Sequence, residues 1–192
     1  MHADCVGTLS DGVSTTQVVV LDCTPVSAAP APVPRTGQTT SHAARDDVAL
    51  QKGVAWPNPR FTDNNNGTVT DNLTGLIWLK NANCFGRRTW ADALSDVNGL
   101  NSGECGLTDG TVAGDWRLPN RNELTSLLDL GTVNPALPAG HPFTNFVAFW
   151  YWSSSTFDNT GSAWVVDFIG GMVGFGENTI DDFFVTAVRG GW

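Results

Sequence analysis

Apolar residues along this chain recur in two rhythms. Trp90, Ala93, Leu94, Val97 and Leu100 fall at i, i+3, i+4, i+7 and i+10, which is one face of a helix. Thr89 precedes the run as an N-cap, and Asp92 sits in the first turn, where a carboxylate meets the positive end of the helix dipole. A second helix is predicted after Pro119. Asn120 caps it, Glu123 completes a capping box, and Leu124, Leu127 and Leu128 supply its buried stripe. Elsewhere the apolar residues come in short runs between turn formers, predicting strands at 68–70, 76–79, 151–154, 163–169, 172–175 and 183–189. Two early helices followed by several short antiparallel strands predict an α+β fold. The run 163–169 is the most informative, because side chains on a strand alternate faces. Trp164, Val166 and Phe168 are uniformly large and apolar and are expected in the core, so Val165, Asp167 and Ile169 are expected to face solvent.

Composition divides the chain into three. Residues 1–24 form a small cysteine-bounded piece with one β-like run, Gln17 to Leu21. Residues 25–55 are a linker and lead-in rich in Pro, Ala and Thr, whose stretch from Pro25 to Ser41 reads as extended and solvated. Residues 56–192 carry the tryptophans, the hydrophobic periodicity and the turn signals of one compact domain. Twenty-one glycines and ten prolines favour turns over a helical bundle, and no repeat of solenoid spacing is present.

The four cysteines fall as two separated pairs, Cys5 with Cys23 and Cys84 with Cys105. Neither pair has the close spacing or nearby histidines of a zinc site, so two local disulfides in an exported protein are expected, with four reduced thiols as the alternative. The formal charge of −9 repels phosphate backbones and anionic lipid, which argues against nucleic acid and membrane surfaces as partners. No apolar run approaches the ~18 residues of a membrane helix, so no direct insertion is expected, and the first residues lack a signal-peptide pattern.

Candidate chemistry is sparse. Asp63, Asn65 and Asp71 bracket an Asn/Gly-rich loop whose oxygens are the type a structural Ca²⁺ takes, although Thr74 stands where an EF-hand places its bidentate Glu. The competing reading is an Asn/Gly hairpin closed by Asx-turns. His2, His42 and His141 belong to no nucleophile or metalloprotease signature, and adjacent Asp181 and Asp182 on a strand point to opposite faces. No catalytic residue is nominated, no cofactor is required, and an enzyme is not expected. The string from Asp115 to Asn120 is read as a structural junction in which Arg117 pairs with Asp115 or Glu123.

Several ordered motifs carry a family resemblance. These are Gly67 to Trp78 (GTVTDNLTGLIW), Thr89 to Leu94 (TWADAL), Asp115 to Asn120 (DWRLPN), Glu123-Leu124, Tyr151 to Ser154 (YWSS) and Ala187 to Gly190 (AVRG). Together they resemble the DUF1566 family, that of the C-terminal domain of the Legionella collagen-like adhesin, over roughly residues 61–191. The resemblance implies a C-type-lectin-like fold, an extracytoplasmic location (secreted or on the outer surface of a bacterium) and adhesin-type ligand binding. The calcium-dependent sugar motif of true C-type lectins is missing: Leu118-Pro119-Asn120 lacks its leading carboxylate. A chain at −9 also repels the anionic glycosaminoglycans associated with that adhesin.

The run Thr36 to Ser41, the run Leu50 to Gly53 and the ending Val188 to Gly191 also resemble variable proteins of diversity-generating retroelements. That resemblance implies a mutagenised segment at about 157–186 on a fixed scaffold. The expected ligand-binding residues are Phe157, Asp158, Asn159, Val165, Asp167, Ile169, Phe175, Asn178, Asp181, Asp182 and Phe183, with phenylalanines giving contact area and Asp and Asn giving acceptors. The acidic members point to a cationic protein or surface ligand. The alternative function is a structural module of an envelope or fibre assembly.

Overall fold

The structure is a computed structural model that describes residues 6–8, 18–20, 33–158 and 161–190. Cys5, Cys23 and Asn159 lie outside the described residues. Near the N-terminus, β1 (Val6–Thr8) pairs antiparallel with β2 (Val18–Val20), Val6 opposite Val20. The β-like run from Gln17 supplies the second of these strands.

Residues 33–56 meet the linker expectation only in part. Their side chains are largely exposed, but the backbone is tied down: Arg35 N–H donates to the Val54 carbonyl (3.0 Å), and Leu130 N–H donates to the Thr36 carbonyl (2.8 Å). Gly37 has φ +86°, and a Cβ there would run into the Asp129 carboxylate and the Trp56 ring. A four-residue helix, α1 (Asp47–Leu50), is too short to leave an apolar period in the sequence. Asp46 caps it, accepting from Ala49 N–H (2.9 Å) as well as from His42 and Ala43, and these bonds hold its carboxyl well below the usual carboxylate range.

Two sheets follow. Strands β3 (Phe61–Asp63), β4 (Thr68–Asp71), β5 (Ile77–Leu79) and β11 (Val188–Arg189) form a four-stranded antiparallel sheet in the order β11-β5-β4-β3. Strands β6 (Arg87–Arg88), β7 (Trp150–Phe157), β8 (Ser162–Asp167), β9 (Val173–Glu177) and β10 (Phe183–Phe184) form a five-stranded sheet in the order β6-β10-β7-β8-β9. Its β10–β7 contact is parallel. The run 183–189, expected as one strand, is therefore two. Val185, Thr186 and Ala187 are buried between the sheets, and the chain passes from one to the other there.

Both expected helices form. Thr89 caps α2 (Trp90–Asn98), accepting from Asp92 N–H, and both halves of the capping box are made on α3 (Arg121–Ser126) at 2.9 and 2.7 Å. Glu123 has a second task. Its two oxygens receive Arg117 Nη1 and Nη2, each at 2.7 Å, while Nη2 also donates to the Gly190 carbonyl. Of the two carboxylates expected for Arg117, Glu123 is the partner, because Asp115 instead accepts from Val112 N–H. This fork joins α3 to the end of β11, and Glu123 holds the Arg117 guanidinium above its ordinary pKa.

The core comprises two clusters. One gathers Trp78, Tyr151, Val166 and Phe168 under Leu124, Leu127 and Leu128, and the other gathers Trp116, Trp152, Val165 and Val97. Cys84 and Cys105 form a disulfide at the margin of the second. The closed loop is one that would contribute ~3 kcal/mol through restriction of the unfolded chain.

The loop nominated for Ca²⁺ is organised by the protein's own cations. Asp71 is fully buried and meets Arg60 through two bonds, Nε–Oδ1 at 2.8 Å and Nη2–Oδ2 at 2.9 Å. It also accepts from Leu73 N–H and the Thr74 hydroxyl. Asp63 bonds Lys80 Nζ (2.6 Å) and Asn65 N–H (2.9 Å), which lower its pKa. Among the described residues no three His, Cys, Asp or Glu side chains form a group that could hold a metal ion. No described helix is long and apolar enough to cross a membrane.

Two predictions follow from this packing. Asp71→Ala leaves the buried Arg60 guanidinium without its counter-charge, and urea unfolding is expected to show a loss of about 3–5 kcal/mol. His141 lies against Phe143 and Phe146, with centroids 5.7 and 6.0 Å away, and burial lowers its pKa. The unfolded chain therefore binds a proton at His141 more readily than the folded one, so stability is present at neutral pH and falls as pH drops through the ordinary histidine range. Between about pH 7 and 5 the natural chain is expected to lose more stability than His141→Asn.

Candidate ligand-binding face

Strand β8 lies between β7 and β9, with residue pairs Tyr151–Val166, Trp152–Val165, Trp164–Phe175 and Val165–Gly174. One face of this sheet presents Trp152, Ala163 and Val165 to the cluster that includes α2, and the other presents Tyr151, Val166 and Phe168 to the cluster under α3. Both faces are covered, as in a strand whose alternation does not separate core from water.

The expectation for β8 is corrected on that ground. Val165 is 2% exposed and sits in the core. Asp167 is 1% exposed, and its two oxygens accept from Ile169 N–H and Gly170 N–H, each at 3.0 Å, to close the β8–β9 turn. Neither is open to a ligand. Trp164, expected inside, is half-buried, although its partners in the alternation, Val166 and Phe168, are sealed as expected.

The apolar surface appears along the edge strand instead. Phe175 is 57% exposed, and Val173 and Met172 beside it are also exposed. Phe175 stacks on Phe157 with centroids 4.2 Å apart and planes within 8°, and Phe157 stands edge-on to Trp164 at 4.8 Å. The Arg121 guanidinium, at the first position of α3, lies 4.7 Å from the Trp164 ring. Ile169 is exposed at the other end of this strip, in the turn between β8 and β9. The result is a cluster of three rings with one cation, flanked along β9 and its leading turn by further exposed apolar side chains.

The remaining expected residues are arranged differently. Asp158, exposed with φ +53°, follows Phe157 at the end of β7. Asp181 is half-buried, its Oδ2 accepting from Glu177 N–H at 2.8 Å, and so closes the β9–β10 turn. Asn178 donates its N–H to Gly161 and accepts from Trp90 N–H, joining that turn to α2. Asp182 is exposed and its carbonyl accepts from Arg87 Nε. Phe183 packs edge-on against Trp152 at 4.8 Å and is a half-buried support.

The structure thus brings Phe157 and Phe175 into one cluster with Trp164 and Arg121, both absent from the expected set. One signal for this lies in the sequence as Val173-Gly174-Phe175-Gly176-Glu177. A Cβ on Gly176 would run into Phe183 and come 2.9 Å from Trp152, and one on Gly174 would approach Trp150 at 3.2 Å. Glycine on the inner side of an edge strand marks close packing below, and the bulky residues between point outward.

A family model described as the Lcl C-terminal domain matches residues 67–189, more than half of the 192-residue chain. The chain belongs to the Lcl C-terminal domain family. No curated protein matches it. In this Lcl C-terminal domain the matched residues run from β4 to β11 and take in all of β7, β8 and β9, so the aromatic strip lies within the family's own fold. The lead-in through β3 precedes it.

The division between strip and core is expected to show in stability. Trp152→Ala empties a fully buried ring site and should cost about 3–5 kcal/mol in denaturant unfolding. Phe175→Ser should cost far less.

Proposed function

We propose that this Lcl C-terminal domain is a bacterial surface or secreted recognition module of C-type-lectin-like architecture, binding its ligand on the strip along β9 rather than catalysing a reaction. The observation that carries this reading is the exposure of Phe175 on the edge strand, where it stacks on the half-buried Phe157 of β7. Large rings held rigid by their neighbours give contact area at small entropic cost, the property of binding hot spots. Arg121 adds a cation that a π-system already orients, and the charge of −9 favours a cationic or donor-rich partner. A disulfide suits an oxidising, extracytoplasmic setting.

On the reading that residues 157–186 are diversified, variation belongs at Phe157, Trp164, Ile169, Met172, Val173 and Phe175. The buried Val165 and Asp167 would then be invariant.

The alternative, a module of an envelope or fibre assembly, draws on the same edge. Among the described residues β9 has a strand partner on one side only, and an open edge can pair with a second chain.

Labelled protein is to be screened for capture on extracellular-matrix proteins and polysaccharides, with Phe175→Ser, Trp164→Ala and, as a control at an exposed residue outside the strip, Val112→Ser in parallel. Loss of capture by about tenfold or more in the first two but not the third is expected. Equal capture by all of them rejects the strip as the site. Sedimentation of the same proteins separates the two readings: a monomer supports ligand display, and an oligomer lost in Phe175→Ser supports assembly.

A further inference from the structure

Outside the family-matched residues, the lead-in folds over a pocket of about 220 Å³, walled by Arg35, Thr36, Gln38, Asp47, Gln51 and Trp56. At ~30 Å³ per water this is space for roughly seven waters, too small for a peptide and below the size of a drug-like site. Its chemistry is unusual in carrying two opposite charges that do not neutralise each other. Among the described residues Arg35 has no carboxylate, and Asp47 no cation, within ion-pair distance.

Each charge is instead held by a neutral neighbour. Arg35 Nη1 donates to Gln51 Oε1 at 2.9 Å, and the Thr36 hydroxyl donates to Asp47 Oδ2. Those bonds orient the two groups and leave part of each unused. The Arg35 Nε–H is buried without an acceptor, and among the described residues Nη2 makes no hydrogen bond, which leaves Nη2 to meet a carboxylate. Asp47 Oδ1 likewise receives no hydrogen bond. Trp56 is fixed as a wall, with Nε1 donating to the Arg35 carbonyl (2.9 Å) and Arg60 stacked 4.7 Å from its ring.

We propose that this pocket binds a small zwitterion of amino-acid type, its carboxylate on Arg35 and its ammonium on Asp47. A ligand carrying both charged groups on one carbon answers both walls at once, whereas a simple anion or cation leaves one of them facing a like charge. The site is independent of the strip on β9.

The test is calorimetric titration of the full chain with each of the twenty protein L-amino acids. One or a few should bind. For the tightest, the N-acetyl and the carboxamide forms should each bind about tenfold more weakly or worse, as should the free amino acid to Arg35→Gln and Asp47→Asn. The two derivatives test the charges in the unaltered protein, so the outcome does not depend on either variant folding. No binding by any amino acid up to about 10 mM overturns the proposal. So does affinity unchanged in both variants, or a derivative that binds as well as the free amino acid.

Discussion

The burial of β8 on both faces is the constraint from which the rest of the domain takes its shape. A strand with Val165 in one cluster and Val166 in the other gives almost all of its length to the core, and only Trp164 comes part-way to the surface. Each sheet face needs its own cover. The helix after Thr89 closes over one and the helix after Asn120 over the other, and their caps fix where the two begin. With the centre of the sheet covered, exposure is left to the edge strand and to the strand ends. That is where the aromatic rings come out.

This also explains how far the sequence could be read. Capping signals are local, and the predicted α2 and α3 begin at the residues that Thr89 and Asn120 mark. The expected Arg117 pairing was legible because the partner lies six residues away. Facing on β8 is not legible from alternation, because a polar residue in the alternation signals solvent only where no backbone donors meet it. Asp167 is buried because the turn it closes supplies two N–H donors, and that turn is created by the β8–β9 pairing rather than by the run itself. The division of 183–189 into two strands likewise depends on the presence of two sheets, which no single run announces. The aromatic strip lay half in view: Phe157 and Phe175 were expected, while Trp164 and Arg121 join them only through a cross-strand register and a helix placed across it.

Charges in this chain are mostly spent on architecture. Asp109 with Arg189 binds distant segments together, and the two more local pairs also reach far along the chain: Arg60, held by Asp71, donates to the Ser126 carbonyl at the end of α3, and Arg117, held by Glu123, donates to the Gly190 carbonyl. The excess of acid over base is therefore greatest in groups that turn backbone, such as Asp46 and Asp181, and in exposed ones such as Asp182. A net charge near an open edge acts at long range on whichever partner approaches, and the rings act only on contact.

The two glycines of β9 have a wider consequence. With Trp152 and Phe183 packed directly beneath Gly176, a side chain there would need those rings to move, and at Gly174 even a Cβ presses on the Trp150 ring, so every second residue of that strand is constrained from below. Any process that rewrites this stretch, whether slow drift or targeted mutagenesis, meets a comb: one set of codons is closed by what lies under it, and the interleaved set is open to the solvent side. A surface built this way can change what it touches many times over while the sheet that carries it stays the same.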